Sequence, residues 1–113
     1  MVTVKTWILL AFLVACDKGT VSGGGNTGAQ TFQNVCAQCH GPKGKPTEAM
    51  VARLNVKDLT SAELRSRITP ALVEAQIRNG SKNKLMPPFA GALSDEQIKA
   101  VAAYVASPEF LNQ

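Results

Sequence analysis

A five-residue motif of cysteine and histidine constrains this chain more than any other feature of its sequence. Residues 36–40 read Cys-Ala-Gln-Cys-His. Side chains at positions i and i+3 lie on one side of a helical turn, so two thiols with this spacing can form thioethers to the two vinyl groups of one haem. The imidazole of the adjacent residue can then bind the iron as its proximal ligand. The motif therefore predicts a covalent haem on Cys36 and Cys39, with His40 on the iron.

Two other chemistries use the same cysteine spacing, namely a dithiol redox pair and a zinc site. The redox pair would need strands that alternate with helices, and this chain shows no alternating segment that demands a strand. A zinc site would need four ligands, but His40 is the only histidine. The composition also favours haem, because 45% of the residues are hydrophobic and only 5% are aromatic. A haem would supply the apolar bulk that the core lacks.

The amino terminus has the pattern of an export signal. Lys5 precedes an apolar run over 7–15, which is too short to span a bilayer comfortably. Residues 13–16 read Leu-Val-Ala-Cys and resemble a bacterial lipobox, in which cleavage leaves Cys16 acylated at the new amino terminus. We therefore predict an exported protein, lipid-anchored on the periplasmic side of a bacterial membrane, with the inner membrane favoured by Asp17. A plain secretory signal with an incidental cysteine is the alternative.

These features divide the chain into three parts. Residues 1–15 are predicted to be a lipoprotein signal peptide, and 16–28 a flexible linker that includes three consecutive glycines. Residues 29–113 have room for one domain. With Cys16 on lipid and the other two cysteines on haem, neither a free thiol nor a disulfide remains.

Capping residues and apolar periodicity predict an all-α domain. In the last helix, Ser94 and Gln97 form a capping box. Residues 81–93 are predicted to be irregular, because adjacent prolines fix the backbone and lack N–H donors. The predicted helices cover 29–40, 48–55, 60–67, 70–79 and 95–106, and the apolar stripe of the last one consists of Ile98, Val101, Ala102 and Val105.

The second axial ligand of the iron is predicted to be Met86. A single histidine excludes bis-histidine ligation within the chain, and His/Met is a standard axial pair. Met86 stands in a proline-stiffened segment far enough from His40 to reach the opposite face of a haem. Met50, which is more simply a core filler, and Lys82 or Lys84 are the alternatives.

Residues 29–113 resemble the class I c-type cytochromes of the small bacterial kind. The resemblance rests on the order of three features: the Cys-X-X-Cys-His helix, the late Met-Pro loop and the C-terminal amphipathic helix. It implies an all-α cytochrome c fold, in which several helices wrap around one covalently bound haem c and the first and last helices cross. Phe32 and Tyr104 are the aromatic residues expected at that crossing.

The resemblance also implies that a backbone carbonyl accepts the Nδ1–H of His40, as partners of metal-bound histidines commonly do. Pro46 is the predicted acceptor, and Pro42 is the alternative. The function implied is single-electron transfer without a catalysed reaction, because an iron with both axial positions filled has no vacant site for a small-molecule substrate.

Three other functions remain open at this stage. In a haem-based gas sensor, Met86 would give way to a diatomic ligand. A peroxidase-like enzyme would need distal acid and base groups, and no second histidine exists to serve. The chain could also be a haem subunit of a larger oxidoreductase complex.

The expected partners are redox proteins and the membrane, with no nucleic acid. The two segments expected at the exposed haem edge are basic, which predicts a docking surface for acidic partner proteins. The alternative is that these lysines are simply solvated surface residues. The residues concerned are Lys43, Lys45, Lys82 and Lys84.

Overall fold

The structure, a computed structural model, describes residues 27–113. The predicted signal peptide, Cys16 and nearly all of the predicted linker lie outside the described residues. Within 27–113 the chain is helical, without a strand, and none of the helices there is long and apolar enough to cross a bilayer. The all-α prediction is confirmed. The helices are α1 (Gly28–Thr31), a π-helical stretch (Phe32–Cys36), α2 (Ala37–His40), α3 (Glu48–Leu54), α4 (Ala62–Arg65), α5 (Pro70–Asn79), α6 (Asp95–Ala106) and a 3₁₀ segment (Pro108–Asn112).

Hydroxyl caps set where most of these helices begin. The Thr69 hydroxyl accepts the Leu72 N–H at 3.2 Å, which starts α5 at Pro70. The capping box of α6 is present as predicted, with Ser94 and Gln97 each bonding the other's backbone N–H. The bounds of α5 and α6 agree with the prediction. Helix α4 is capped by Ser61, close to the predicted start, but it ends at Arg65 rather than at residue 67.

The first helix differs from its prediction. It starts at Gly28 rather than Ala29, and its middle is π-helical, since the Ala37 N–H donates to the Phe32 carbonyl five residues earlier. Such π turns occur often at functional sites. The 3.6-residue spacing therefore does not hold between Phe32 and Cys36, although both cysteines remain half-buried.

Helices α1 and α6 cross at close range. A side chain at Gly28 would collide with the Ala100 carbonyl oxygen and the Cβ of Tyr104, so glycine permits this approach. The predicted stripe of α6 is confirmed, because all four of its residues are buried. The buried hydrophobic core consists of Phe32, Ile77, Ile98, Val101, Ala102, Val105 and Phe110.

Three aromatic rings meet at the crossing. Phe32 packs edge-on against Tyr104, with ring centroids 6.2 Å apart, as the resemblance implied. Phe110 was not predicted to take part, yet its centroid lies 5.1 Å from Phe32 and 5.4 Å from Tyr104. The Phe110 ring also packs on Gly44, where a Cβ would strike it and where φ is +81°. The 3₁₀ segment thus rests on the loop that follows the haem motif.

Arg65 connects α4 to the end of α6. Its guanidinium donates to the carbonyls of Val105, at 2.7 Å, and Ser107, at 3.0 Å. A helix leaves its last carbonyls unpaired and carries a partial negative charge there, so a cation at this place satisfies both. The same group lies 5.6 Å from the centroid of the Phe110 ring. These contacts fix the end of α4 against the end of α6 and the Phe110 ring.

Candidate haem site

The two cysteines of the motif are free and half-buried at the end of the first helix. Burial raises the pKa of Cys36 to about 11, and the neighbouring Cys39 acts in the same direction. Cys36 is therefore a protonated thiol at neutral pH. A reactive dithiol pair instead needs a thiol with a lowered pKa. Cys36 therefore does not supply the thiolate that a redox pair would use.

His40 is held in one tautomer by the backbone. Its Nδ1 lies 3.0 Å from the Lys57 carbonyl oxygen. Because a carbonyl oxygen only accepts, Nδ1 carries the proton. Burial lowers the pKa of His40, outweighing the opposite effect of this hydrogen bond, so the imidazole is neutral at pH 7. Nε2 then keeps its lone pair, which is the form that binds a metal.

The acceptor for His40 was predicted incorrectly. Neither Pro46 nor Pro42 takes this role, and the Pro42 carbonyl instead accepts from the side-chain amide of Gln33 at 2.6 Å. The Leu59 N–H donates to the Gly44 carbonyl at 2.9 Å, which brings the segment around Lys57 against the loop after the motif. The acceptor therefore comes from 17 residues away, and no local pattern in the sequence indicates it.

The segment that supplies this carbonyl is well anchored. The Asp58 carboxylate accepts from the Thr60 N–H at 2.8 Å and from the Thr60 hydroxyl at 2.6 Å. The hydroxyl hydrogen bond is the main reason that the pKa of Asp58 is lowered. The Leu59 carbonyl in turn lies 3.4 Å from the Arg65 guanidinium. The partner of His40 is thus part of a turn fixed from several sides.

Met86 and Cys36 border the same core cluster. Both are half-buried and packed against the buried hydrophobic residues, and Met50 is not among the side chains packed there. Lys82 and Lys84 are exposed. The structure therefore brings one predicted ligand, Met86, to the core that the haem motif adjoins. Two thiols, a neutral imidazole and a thioether are the donor set that a covalent haem requires, so these residues fit that group.

An open cleft lies beside the loop that follows the haem motif. Its volume is about 360 Å³. It holds no thiol, imidazole or thioether, so it is separate from the set of residues that fit a haem. The lining consists of Lys45, Pro46, Glu48, Val51, Ala52 and Asp58.

Known proteins are similar to this chain in both sequence and fold. Residues 24–105 match the family described as cytochrome c oxidase, cbb3-type, subunit III. Cytochrome c6 of Thermosynechococcus vestitus is 35% identical over 98 residues, which cover 87% of this chain and 82% of that protein. The chain belongs to the class I c-type cytochromes. This cytochrome is also similar to cytochrome c6 of Parathermosynechococcus lividus, with 38% identity over 69% of this chain and 83% of that protein.

The solved structures agree with the sequence comparison. The KustC0563 c-type cytochrome superposes with a TM-score of 0.62 and is 28% identical, covering 71% of this chain and 94% of that one. The cytochrome described here is therefore a monohaem electron carrier with one covalently bound haem c. Its partners are redox proteins.

Proposed function

We propose that the haem is attached through Cys36 and Cys39, that His40 and Met86 bind its iron, and that the protein catalyses no reaction of its own. The hydrogen bond between His40 Nδ1 and the Lys57 carbonyl carries this proposal, because it leaves Nε2 free to bind iron next to the two thiols. The bound haem supplies an iron couple that takes up and returns one electron. Met86 is the ligand on the other side of the iron, supported by its place against the core that Cys36 borders.

The protein's own groups would set the strength of the His40 bond. A carbonyl that accepts from Nδ1 raises the basicity of the imidazole and fixes the orientation of the ring. The anchoring of Asp58 and Leu59 keeps this acceptor in place. Half-burial of both cysteines and Met86 limits the access of water to that side of the core.

Absorption spectra of Met86→Ala test the ligand assignment. The haem-loaded native protein is expected to be low-spin, with the near-infrared band of iron(III)–thioether charge transfer, and not to bind carbon monoxide rapidly when reduced. Met86→Ala is expected to abolish that band and to open the iron to carbon monoxide, because no thioether remains to fill the position. The matched control is Met50→Ala, which removes the same side chain from α3 and is expected to keep the band.

Two outcomes would contradict this assignment. If Met50→Ala, and not Met86→Ala, removes the band, the ligand is Met50. If the native protein is already high-spin and binds carbon monoxide readily, the gas-sensor function takes first place.

We propose export and lipid anchoring from the sequence of the first residues. The apolar run with its basic flank and the lipobox support a signal peptide over 1–15, and Cys16 would carry the lipid. The linker over 16–28 would then let the domain reach partners near a membrane surface.

We propose that acidic redox partners dock at two basic segments, one with Lys43 and Lys45 and the other with Lys82 and Lys84, all of which are exposed. Charges of opposite sign accelerate association, and salt screens that attraction. The second-order rate of electron transfer with an acidic partner is therefore expected to fall as ionic strength rises, measured by stopped flow. A rate that does not change with salt would mean that these lysines are only solvated surface residues.

A second candidate is a haem subunit of a larger oxidoreductase complex. The match of residues 24–105 to a family described as an oxidase subunit favours it. Co-purification of this chain with other subunits from its source membrane would support this candidate over a free carrier.

A further inference from the structure

Ser81 binds both polar backbone groups of Met86. The Met86 N–H donates to the Ser81 hydroxyl at 3.0 Å, and the Ser81 N–H donates to the Met86 carbonyl at 2.9 Å. Both backbone polar groups of Met86 therefore form hydrogen bonds with one residue, five positions earlier in the sequence. We refer to these two contacts as the Ser81–Met86 hydrogen bonds.

The direction of the hydroxyl is fixed as well. The Ser81 hydroxyl lies 2.6 Å from Oδ1 of Asn83, to which it donates its only proton. Its lone pairs are then available to the Met86 N–H. The same Oδ1 accepts from the Leu85 N–H at 3.0 Å, which ties the residue before Met86 into the network. Asn83 therefore orients the hydroxyl that holds Met86.

Few other groups hold this part of the loop. Residues 87 and 88 are prolines and carry no N–H, so between Leu85 and Phe89 only Met86 has a backbone donor. The Phe89 N–H returns to α5, bonding the Ile77 carbonyl at 2.9 Å. On the other side, Gly80, with φ +70°, packs so closely that a Cβ there would strike the Met86 carbonyl oxygen.

We propose that Ser81 is a positioning residue for the axial ligand: its hydroxyl holds the Met86 backbone so that the thioether stays on the iron. This inference rests on the proposed function, in which Met86 is that ligand. Without the hydroxyl, the Met86 N–H loses its partner and the backbone gains freedom. The thioether then leaves the metal more often, although the rest of the loop remains anchored to α5.

The rate at which added imidazole displaces the Met86 thioether measures how often the thioether leaves the iron. In the oxidised, haem-loaded protein, Ser81→Ala is expected to speed displacement about fivefold to tenfold, the size expected for one lost hydrogen bond. Ser81→Thr keeps a hydroxyl and is expected to restore the native rate. Ser66→Ala is the matched control, because it removes an exposed serine hydroxyl that bonds a backbone carbonyl at 2.7 Å far from Met86 in sequence.

A second measurement does not depend on the haem spectrum. Hydrogen exchange of the Met86 amide is expected to accelerate in Ser81→Ala and not in Ser66→Ala. If Ser81→Ala does not take up haem, Asn83→Ala serves instead, because it removes the acceptor that orients the same hydroxyl. In Asn83→Ala, both the rate of thioether displacement and the rate of Met86 amide exchange are expected to rise.

Two results would overturn the inference, and they differ from each other. In the first, Met86→Ala shows that Met86 is the ligand while imidazole displaces the thioether of Ser81→Ala at the native rate. In that case the positioning role of Ser81 is wrong and the proposed function stands. If Met86→Ala keeps the thioether band, the ligand assignment itself is wrong, and the role of Ser81 is wrong with it.

Discussion

Replacing Cys36 and Cys39 together with alanine is expected to give a polypeptide that carries no covalent haem. The motif supplies both thiols that would form the thioethers, and neither is engaged in a disulfide. After extraction with acidified acetone, haem is expected to stay on the native polypeptide and to leave the double variant. The measurement is haem staining of the protein on a denaturing gel.

Two control variants sharpen this experiment. Cys36→Ala alone is expected to keep one thioether, which the pyridine haemochrome spectrum distinguishes from two by a shift to longer wavelength. Cys16→Ala is expected to keep both thioethers and, if Cys16 is the lipid anchor, to release the protein from the membrane. Haem that resists extraction from the double variant would show that the attachment site lies elsewhere.

Replacing Phe32 with alanine is expected to destabilise the folded protein by about 3–5 kcal/mol. Phe32 is fully buried and packs edge-on against both Tyr104 and Phe110, so the truncation leaves a cavity at the crossing of the first and last helices. Chemical denaturation followed by circular dichroism measures the free energy of unfolding.

Phe32→Leu is the control for this variant. It keeps most of the buried volume and loses mainly the aromatic contacts, which contribute about 0.5–1.5 kcal/mol per pair. Its loss of stability is therefore expected to be clearly smaller. A loss below about 1 kcal/mol for Phe32→Ala would mean that the core closes around the gap and that Phe32 is not central to it.

The sequence predicts the helices well where the signals are local. Thr69 and Ser94 start α5 and α6 through their own side-chain hydrogen bonds, and Gly80 ends α5 with a positive φ. The prediction of Cys36, Cys39 and His40 as haem-binding residues rests on an equally local signal, because the three lie in one five-residue segment. Capping and periodicity depend on neighbours within four residues, so one sequence contains the information that they need.

The features that were missed depend on distant parts of the chain. The π turn before Cys36 has no residue pattern that indicates it, and the Lys57 carbonyl reaches His40 only because Leu59 bonds the Gly44 carbonyl. Any residue except proline offers the same backbone N–H, and every residue offers the same carbonyl, so side-chain identity does not single out Lys57. The resemblance to cytochromes predicted that an acceptor exists but not which residue supplies it.

Met86 illustrates a middle case. The neighbouring prolines predicted that Met86 lies in a ligand loop, and in the structure Met86 packs against the core. The hydrogen bonds between Ser81 and the Met86 backbone were not predicted. They depend on a turn over 81–86 in which Lys84 takes φ +63°, a conformation that lysine seldom adopts and that its sequence does not indicate.

The crossing of α1 and α6 also determines when the domain can close during folding. Phe32 and Phe110 meet at the crossing although they stand near opposite ends of the described residues, so this part of the core has a high contact order. Bringing the two ends of so long a loop together lowers the conformational entropy before any stabilising contact forms. Docking of α6 on the first helix is therefore slow. We expect the first helix, with its two thiols, to remain accessible until α6 docks. We expect haem attachment to Cys36 and Cys39 to take place before that docking step.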